Sequence, residues 1–229
     1  MIEIKNITKS FNDVKVLDDV SFTFQKGKTN LIIGESGSGK TVLTKCIVGL
    51  LDPDHGEISY DGRMFSSLKM KEKKEIRKEL GMLFQAGALF DSLTVEENIA
   101  FPLKIFSDMS RSEMDDRVNF CLKRVNIENK NNLYPAEISG GMKKRVAIAR
   151  AISMNPKYLF CDEPNSGLDP VTSIVIDELI KEITEEYNIT TVVITHDMNS
   201  VLEIGENIMF IYKGKNYWTG NKASILDTD

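Results

Sequence analysis

The chain has 229 residues, 41% hydrophobic and 28% charged, an ordinary globular composition with enough length to bury a sizeable core. Its net charge of −5 argues against a nonspecific nucleic-acid binder, because such binding rests on a clustered basic surface, and no nucleic-acid partner is expected. No uncharged apolar stretch approaches the roughly 18 residues of a membrane-spanning helix.

In chain order, Met1-Ile2-Glu3-Ile4-Lys5 alternates like a strand and lacks the apolar run of a signal peptide, which points to a cytosolic chain able to dock on a membrane partner. Ile2–Ile4, Val14–Leu17, Val20–Phe24 and Glu57–Tyr60 read as short strands of a small antiparallel sheet, with turns at Asn12-Asp13, Lys26-Gly27 and Asp61-Gly62. The apolar run Leu31-Ile32-Ile33 leads into Gly34-Glu35-Ser36-Gly37-Ser38-Gly39-Lys40-Thr41. That is the P-loop spacing: a strand, a glycine-rich turn, then Lys-Thr opening a helix. Glycines let consecutive backbone N–H groups turn inward around a phosphate, and the helix start points its positive end at the same anion. Lys40 would then reach the β- and γ-phosphates of a nucleoside triphosphate, with the Thr41 hydroxyl on Mg²⁺. The helix is expected to run to about Leu50 and stop before Asp52-Pro53.

Lys69 to Lys78 is a charged helical segment, more in keeping with a solvated face than a binding site, and Leu80 to Phe84 returns as a strand. Helices dominate from Ala86 to about Met154, with Met114, Val118, Leu122 and Val125 on one stripe. Tyr158-Leu159-Phe160-Cys161 is a buried-type strand. Asp169-Pro170 opens a helix whose apolar side is expected from Ile174, Leu179, Ile180 and Ile183. Thr190–Thr195 and Asn207–Tyr212 are further strands, and two glycine turns and a short acidic tail finish the chain. The alternation predicts an α/β fold with a mostly parallel sheet. Cys46, Cys121 and Cys161 lie in apolar neighbourhoods and read as buried reduced thiols, and with only His55 and His196 a histidine metal site is not expected.

Two further sites carry chemistry. The strand before Asp162-Glu163 ends in two carboxylates: Asp162 suits Mg²⁺, held through water, and Glu163 suits a general base that orients or deprotonates water. Ile138-Ser139-Gly140-Gly141-Met142, followed by Lys143-Lys144-Arg145, starts a helix that Ser139 can cap, with glycines leaving its N–H groups accessible to a second anion. One P-loop with two phosphate-directed helix starts is odd unless the second serves a nucleotide on another copy.

These residues resemble the nucleotide-binding subunits of ABC transporters over nearly the whole chain. Ser139-Gly140-Gly141 matches the signature sequence, with Ile138 for the usual Leu and Met142 for the usual Gln; Gln85 resembles the Q-loop glutamine, Ser166-Gly167-Leu168-Asp169 the D-loop, and His196 the switch histidine. Phe11 stands where an aromatic residue stacks on adenine. The resemblance implies a P-loop NTPase (RecA-like) core over about 1–85 and 155–229 that includes a small antiparallel β subdomain, and a helical signature-motif subdomain over about 86–154, within one ATPase domain of residues 1–229. It implies ATP and Mg²⁺ as cofactors, with Thr41, Gln85 and Asp162 on the metal. Glu163 would be the base, His196 a γ-phosphate contact, and Gln85 a sensor of Mg²⁺ or the attacking water. A second ATPase subunit, expected to be a second copy, would pair head to tail, each ATP lying between one P-loop and the partner's signature helix, with Asp169 communicating across the pair.

The run from Gln85 to Leu103 stands where importers receive a permease's coupling helix. Its Ala88-Leu89-Phe90-Asp91-Ser92-Leu93, with Ser-Gly-Gly-Met at the signature, resembles the ATPases of Mla/Mce-type lipid transporters. That implies a peripheral subunit on the cytoplasmic side of the inner (plasma) membrane, an integral permease docking near Gln85–Leu103, and, indirectly, a periplasmic lipid-binding subunit. The alternatives are the ATPase of a small-solute importer and a cell-division ABC regulator.

Overall fold

The computed structural model describes residues 1–227; the last two residues of the acidic tail lie outside the described residues. The chain opens with β1 (Ile2–Phe11) and β2 (Val14–Phe24), an antiparallel hairpin closed by Asn12 and Asp13 at φ 46° and 62°. A two-residue hairpin turn needs positive φ at both positions, which Asn and Asp tolerate better than most residues. Both strands are longer than the short segments expected from the sequence. Asn6 and Asp19 sit near the register shifts at φ 52° and 58°, joined by a 2.7 Å bond from Asn6 Nδ2 to Asp19 Oδ1. The polar residues that look like strand ends are bulges within continuous strands.

β3 (Thr29–Ile33) and α1 (Lys40–Ile47) follow, then β4 (His55–Tyr60) and β5 (Arg63–Met64). The helix ends at Ile47 rather than near Leu50, because Gly49 turns to φ 76° and the N–H groups of Leu50 and Leu51 fold back to the Lys45 carbonyl. α2 (Met70–Lys78) is charged, with only Ile76 buried. β6 (Leu80–Leu83) precedes three helices, α3 (Val95–Phe106), α4 (Arg111–Arg124) and α5 (Gly140–Ile152). Val118, Leu122 and Val125 of the expected stripe are buried, with Met114 half-buried.

β7 (Tyr158–Asp162) and α6 (Pro170–Glu186) come next. Here the expected apolar side needs one correction. Ile174 is 50% exposed, and the buried stripe is Ile176, Leu179, Ile180 and Ile183, which keeps the i, i+3, i+4, i+7 rhythm that Ile174 breaks. The chain closes with β8 (Thr190–Thr195), α7 (Met198–Ile204), β9 (Asn207–Tyr212) and β10 (Lys215–Gly220). β10 was not expected from the sequence; it returns antiparallel on β9 through Lys213 and Gly214, at φ 47° and 76°.

By its contacts the chain divides into two compact units, residues 1–77 with the chain from 181 onward, and residues 78–180. The first unit holds an antiparallel sheet ordered β2-β1-β4-β5 and the strands β10-β9-β3-β8, in which β3 runs parallel to both β8 and β9. Every residue of β3 and β8 is buried, as expected of parallel strands covered on both faces. Thr29 and Asn30 are the buried polar residues of β3. Of the two, Asn30 bonds to three neighbouring segments. It accepts from Gln25 N (2.6 Å) and Asn207 Nδ2 (2.7 Å) and donates to the Thr191 carbonyl (2.9 Å), which fixes the strand that feeds the glycine-rich loop. The second unit pairs β6 and β7 in parallel and packs Val146, Ala147, Ile148, Ala149, Ala151 and Ile152 of α5 into its core.

Candidate functional site

In the first unit, β3 runs directly into Gly34–Gly39, and Gly34, Gly37 and Gly39 all adopt positive φ. Gly34 admits no side chain: at φ 149° a Cβ would lie 2.2 Å from the Ile211 carbonyl oxygen. Lys40 is buried and folds back along the loop, donating to the carbonyl oxygens of Gly34 (2.7 Å) and Glu35 (2.9 Å). Glu35, Ser36 and Gly37 are exposed at the tip of the loop. Ser38 Oγ is buried without a hydrogen-bond partner in the protein. α1 starts at Lys40 behind Gly39, with no side-chain cap and no acidic residue in its first turn. A cationic helix start, a buried lysine and an orphaned hydroxyl around a glycine cradle fit the phosphates of a nucleotide.

Thr41 opens this helix at an exposed position. Among the described residues no group of three or more His, Cys, Asp or Glu could hold a metal by itself. The Thr41 hydroxyl is an oxygen donor of the kind Mg²⁺ takes, and such an ion withdraws charge from a phosphoryl group. Phe11, at the end of β1, is 43% exposed and has the Lys9 ammonium 5.6 Å from its ring centre. His196 follows β8 at an exposed position, and Asp197 behind it caps α7 by accepting from Asn199 N at 2.9 Å.

In the second unit, Asp162 ends β7 and Glu163 turns sharply at φ 48°. A non-glycine residue in that region is strained and persists only where its surroundings hold it. Here the Glu163 carbonyl accepts from Ser166 N (3.2 Å) and Lys144 Nζ (3.3 Å). Gln85 donates from Nε2 to Ser166 Oγ at 3.4 Å, and its carbonyl accepts from Lys144. Gln85, Glu163 and Ser166 are thus brought together.

Ser139 caps α5 by accepting from Met142 N at 3.2 Å, and the helix has no acidic residue in its first turn. Gly140 and Gly141 form its first positions. A Cβ on Gly141 would lie 2.7 Å from Thr172 Cγ2, and one on Gly140 3.8 Å from Leu168 Cδ2, so the glycine corner packs against the start of α6. Asp169 caps that helix: its carboxylate accepts from Thr172 Oγ1 (2.5 Å) and Thr172 N (3.0 Å), bonds that hold it below the usual carboxylate pKa range.

Sequence reasoning named Lys144 only as part of a basic run. It is 5% exposed, and burial holds its ammonium below the usual lysine range. Arg150, on the same helix, donates to the Gly87 and Ala88 carbonyls at 2.7 Å each. The signal was present: Lys144, Ala147, Ile148 and Ala151 share one helical face, so a lysine stands on an apolar stripe.

Residues 17–166 match the ABC transporter family. The chain is 43% identical over 211 residues to a methionine import ATP-binding protein (MetN) of Clostridium tetani, covering 92% of this chain and 66% of that one. It is 37% identical over 228 residues to a probable ribonucleotide transport ATP-binding protein (mkl) of Mycobacterium leprae, covering 100% and 66%. The chain therefore spans slightly less than two thirds of the length of these curated relatives. The fold is similar to a dimeric post-hydrolysis structure of the ATP-binding cassette MJ0796 bound to ADP and Pi, with a TM-score of 0.86, 34% identity, and coverage of 97% of this chain and 99% of that chain.

Proposed function

Since the chain belongs to the ABC transporter family, we propose that it hydrolyses ATP as the energy-coupling subunit of a transporter, residues 1–229 acting as one ATPase domain. The observation that carries this reading is the cradle: Gly34, Gly37 and Gly39 at positive φ around the buried Lys40, at the start of a helix without an acidic first turn. Lys40 exchanges the Gly34 and Glu35 carbonyls for phosphate oxygens, and the α1 N–H groups receive the same anion. Phe11 stacks on adenine, His196 contacts the γ-phosphate and Gln85 senses Mg²⁺ or the attacking water. Glu163 accepts the proton of that water as its oxygen bonds to the γ-phosphorus and the bond from that phosphorus to the β–γ bridging oxygen breaks, ADP leaving with the bridging oxygen's electron pair and inorganic phosphate as the other product. The Ser139-Gly140-Gly141 corner serves the nucleotide of a second copy, a reading supported by the dimeric state of MJ0796.

Glu163→Gln tests the assignment. Hydrolysis should fall by about 10²–10⁴-fold while ATP stays bound and the pair stays closed, because the cradle is untouched. Normal hydrolysis by that variant removes Glu163 as the base.

For the cargo we infer a phospholipid or related lipid, from the likeness of Ala88–Leu93 and Ser139–Met142 to lipid-transport ATPases. The permease is proposed to dock near Gln85–Leu103, where Phe90 and Phe101 are exposed with their rings 4.6 Å apart, on the cytoplasmic side of the membrane, and to work with a periplasmic lipid-binding subunit. The 43% identity to a methionine import protein favours a second reading, an importer of a small solute. Mass spectrometry of the intact complex separates them: a copurifying lipid and lipid-carrier subunit support the first, a bound amino acid the second.

A further inference from the structure

Lys144 is the only cation named above whose ammonium touches both residues that flank the reaction in the second unit. Its Nζ donates to the Gln85 carbonyl and, at 3.3 Å, to the Glu163 carbonyl, from a side chain that is 5% exposed. Gln85 is 59 positions before it and Glu163 19 after, so this one group ties together two loops that the sequence keeps apart. The two carbonyl dipoles converge on a common point, an arrangement that repels unless a donor stands between them. Glu163 also holds φ 48°, a conformation that needs external support. Its carbonyl receives the Ser166 N–H and the Lys144 ammonium, so Lys144 helps fix the turn from which the carboxylate projects. Arg150 pins the Gly87 and Ala88 carbonyls of the Gln85 loop from the same helix but makes no bond to Glu163 that parallels that of Lys144.

We propose that Lys144 is a positioning residue for hydrolysis: by bonding both carbonyls it sets the Glu163 carboxylate relative to Gln85. It takes no proton and touches no substrate. The proposal rests on the reading of Glu163 as the base.

Lys144→Met tests it, because methionine keeps an aliphatic stem on the apolar face and removes the donors. Steady-state hydrolysis by the full chain should lose about 10- to 100-fold in kcat, since small misplacements of a catalytic group cost that much. KM and the affinity for a fluorescent ATP analogue should stay within about twofold, because the cradle belongs to other residues. Lys144→Arg, which keeps charge and donors, should recover most of the loss. In single turnovers with radiolabelled ATP, Lys144→Met added to Glu163→Gln should slow the residual rate little further. Thermal unfolding and ATP binding of each variant show whether it is folded. A folded Lys144→Met with wild-type kcat overturns the proposal, and so does an equal fold-loss in the Glu163→Gln background. A wild-type protein that hydrolyses no ATP, alone or with its membrane partner, instead overturns the reading of Glu163.

Discussion

Replacing Gly141 by alanine puts a methyl group 2.7 Å from Thr172 Cγ2, where ordinary contact begins at 3.4 Å, so one of the two must retreat by about 0.7 Å. Thr172 cannot simply rotate. Its hydroxyl is bonded to Asp169 at 2.5 Å, and its branched Cβ ties the methyl to that hydroxyl. Overpacking of this kind costs about 1–3 kcal/mol, and alanine returns up to about 1 kcal/mol of helix propensity. The net expectation is a loss of about 1–2 kcal/mol, a fall in Tm of about 2–8 °C for a chain of this size. Thr172→Ser removes the obstructing methyl and keeps the hydroxyl on Asp169, at a cost of up to about 0.8 kcal/mol by itself. Combined, the two changes should be less destabilising than their sum by about 1 kcal/mol, measured by urea unfolding of all four proteins. Additivity within about 0.3 kcal/mol would refute the steric argument. Turnover should not recover in the double variant, because the added methyl still stands at the helix start proposed to face phosphate.

Lys40→Ala should weaken ATP binding by about 10- to 150-fold, the worth of a charged hydrogen bond, in a titration with a fluorescent ATP analogue; unchanged affinity contradicts its phosphate contact. Asp169→Ala should destabilise the protein most at neutral pH. The native Asp169 pKa is lowered by the Thr172 hydroxyl and N–H, so the stability it adds is complete above the unfolded-chain value and is lost as pH falls through the lower native one. Wild type and variant should therefore converge in acid, and a gap that widens there counts against the cap. Cys46, Cys121 and Cys161 are all buried, and burial raises the thiol pKa of Cys46 and Cys121 to about 11 and of Cys161 further, so a thiol reagent should label none in the native protein and all three in denaturant.

The parts of the site that were legible are those that one short stretch of chain builds alone. Gly34–Thr41 and Ser139–Met142 each carry a turn and a helix start within a few residues, so spacing specifies geometry. The tie from Lys144 to Gln85 and Glu163 depends on how three separate segments pack, and no local rule encodes that. The fold shows the same division. Helices and buried strands followed from periodicity, whereas the bulges at Asn6 and Asp19 are settled by a bond between residues 13 apart. Ile174 was misassigned for a local reason: β-branched apolar residues crowd the first half of α6, and only the phase of the whole stripe shows which of them face the core.

The helix starts sort the chain's anion chemistry by a simple electrostatic test. α3 and α4 satisfy their first N–H groups with Thr94–Glu97 and Ser110–Glu113 capping boxes, α2 carries Glu72 in its first turn, and α6 and α7 are capped by Asp169 and Asp197. Among the α-helices of the described residues, α1 and α5 alone have a neutral N-cap residue and no first-turn acid. A carboxylate there would add about 0.3–1 kcal/mol to each helix, so leaving it out sacrifices stability at two positions. Those two helices begin at the glycine cradle and at the Ser139 corner. A carboxylate at either would repel the phosphate proposed to bind there at close range, where the Coulomb cost in a partly buried setting reaches several kcal/mol and outweighs the stability forgone. The pattern of missing acids thus points to the same two helix ends as the glycines do, and from independent physics.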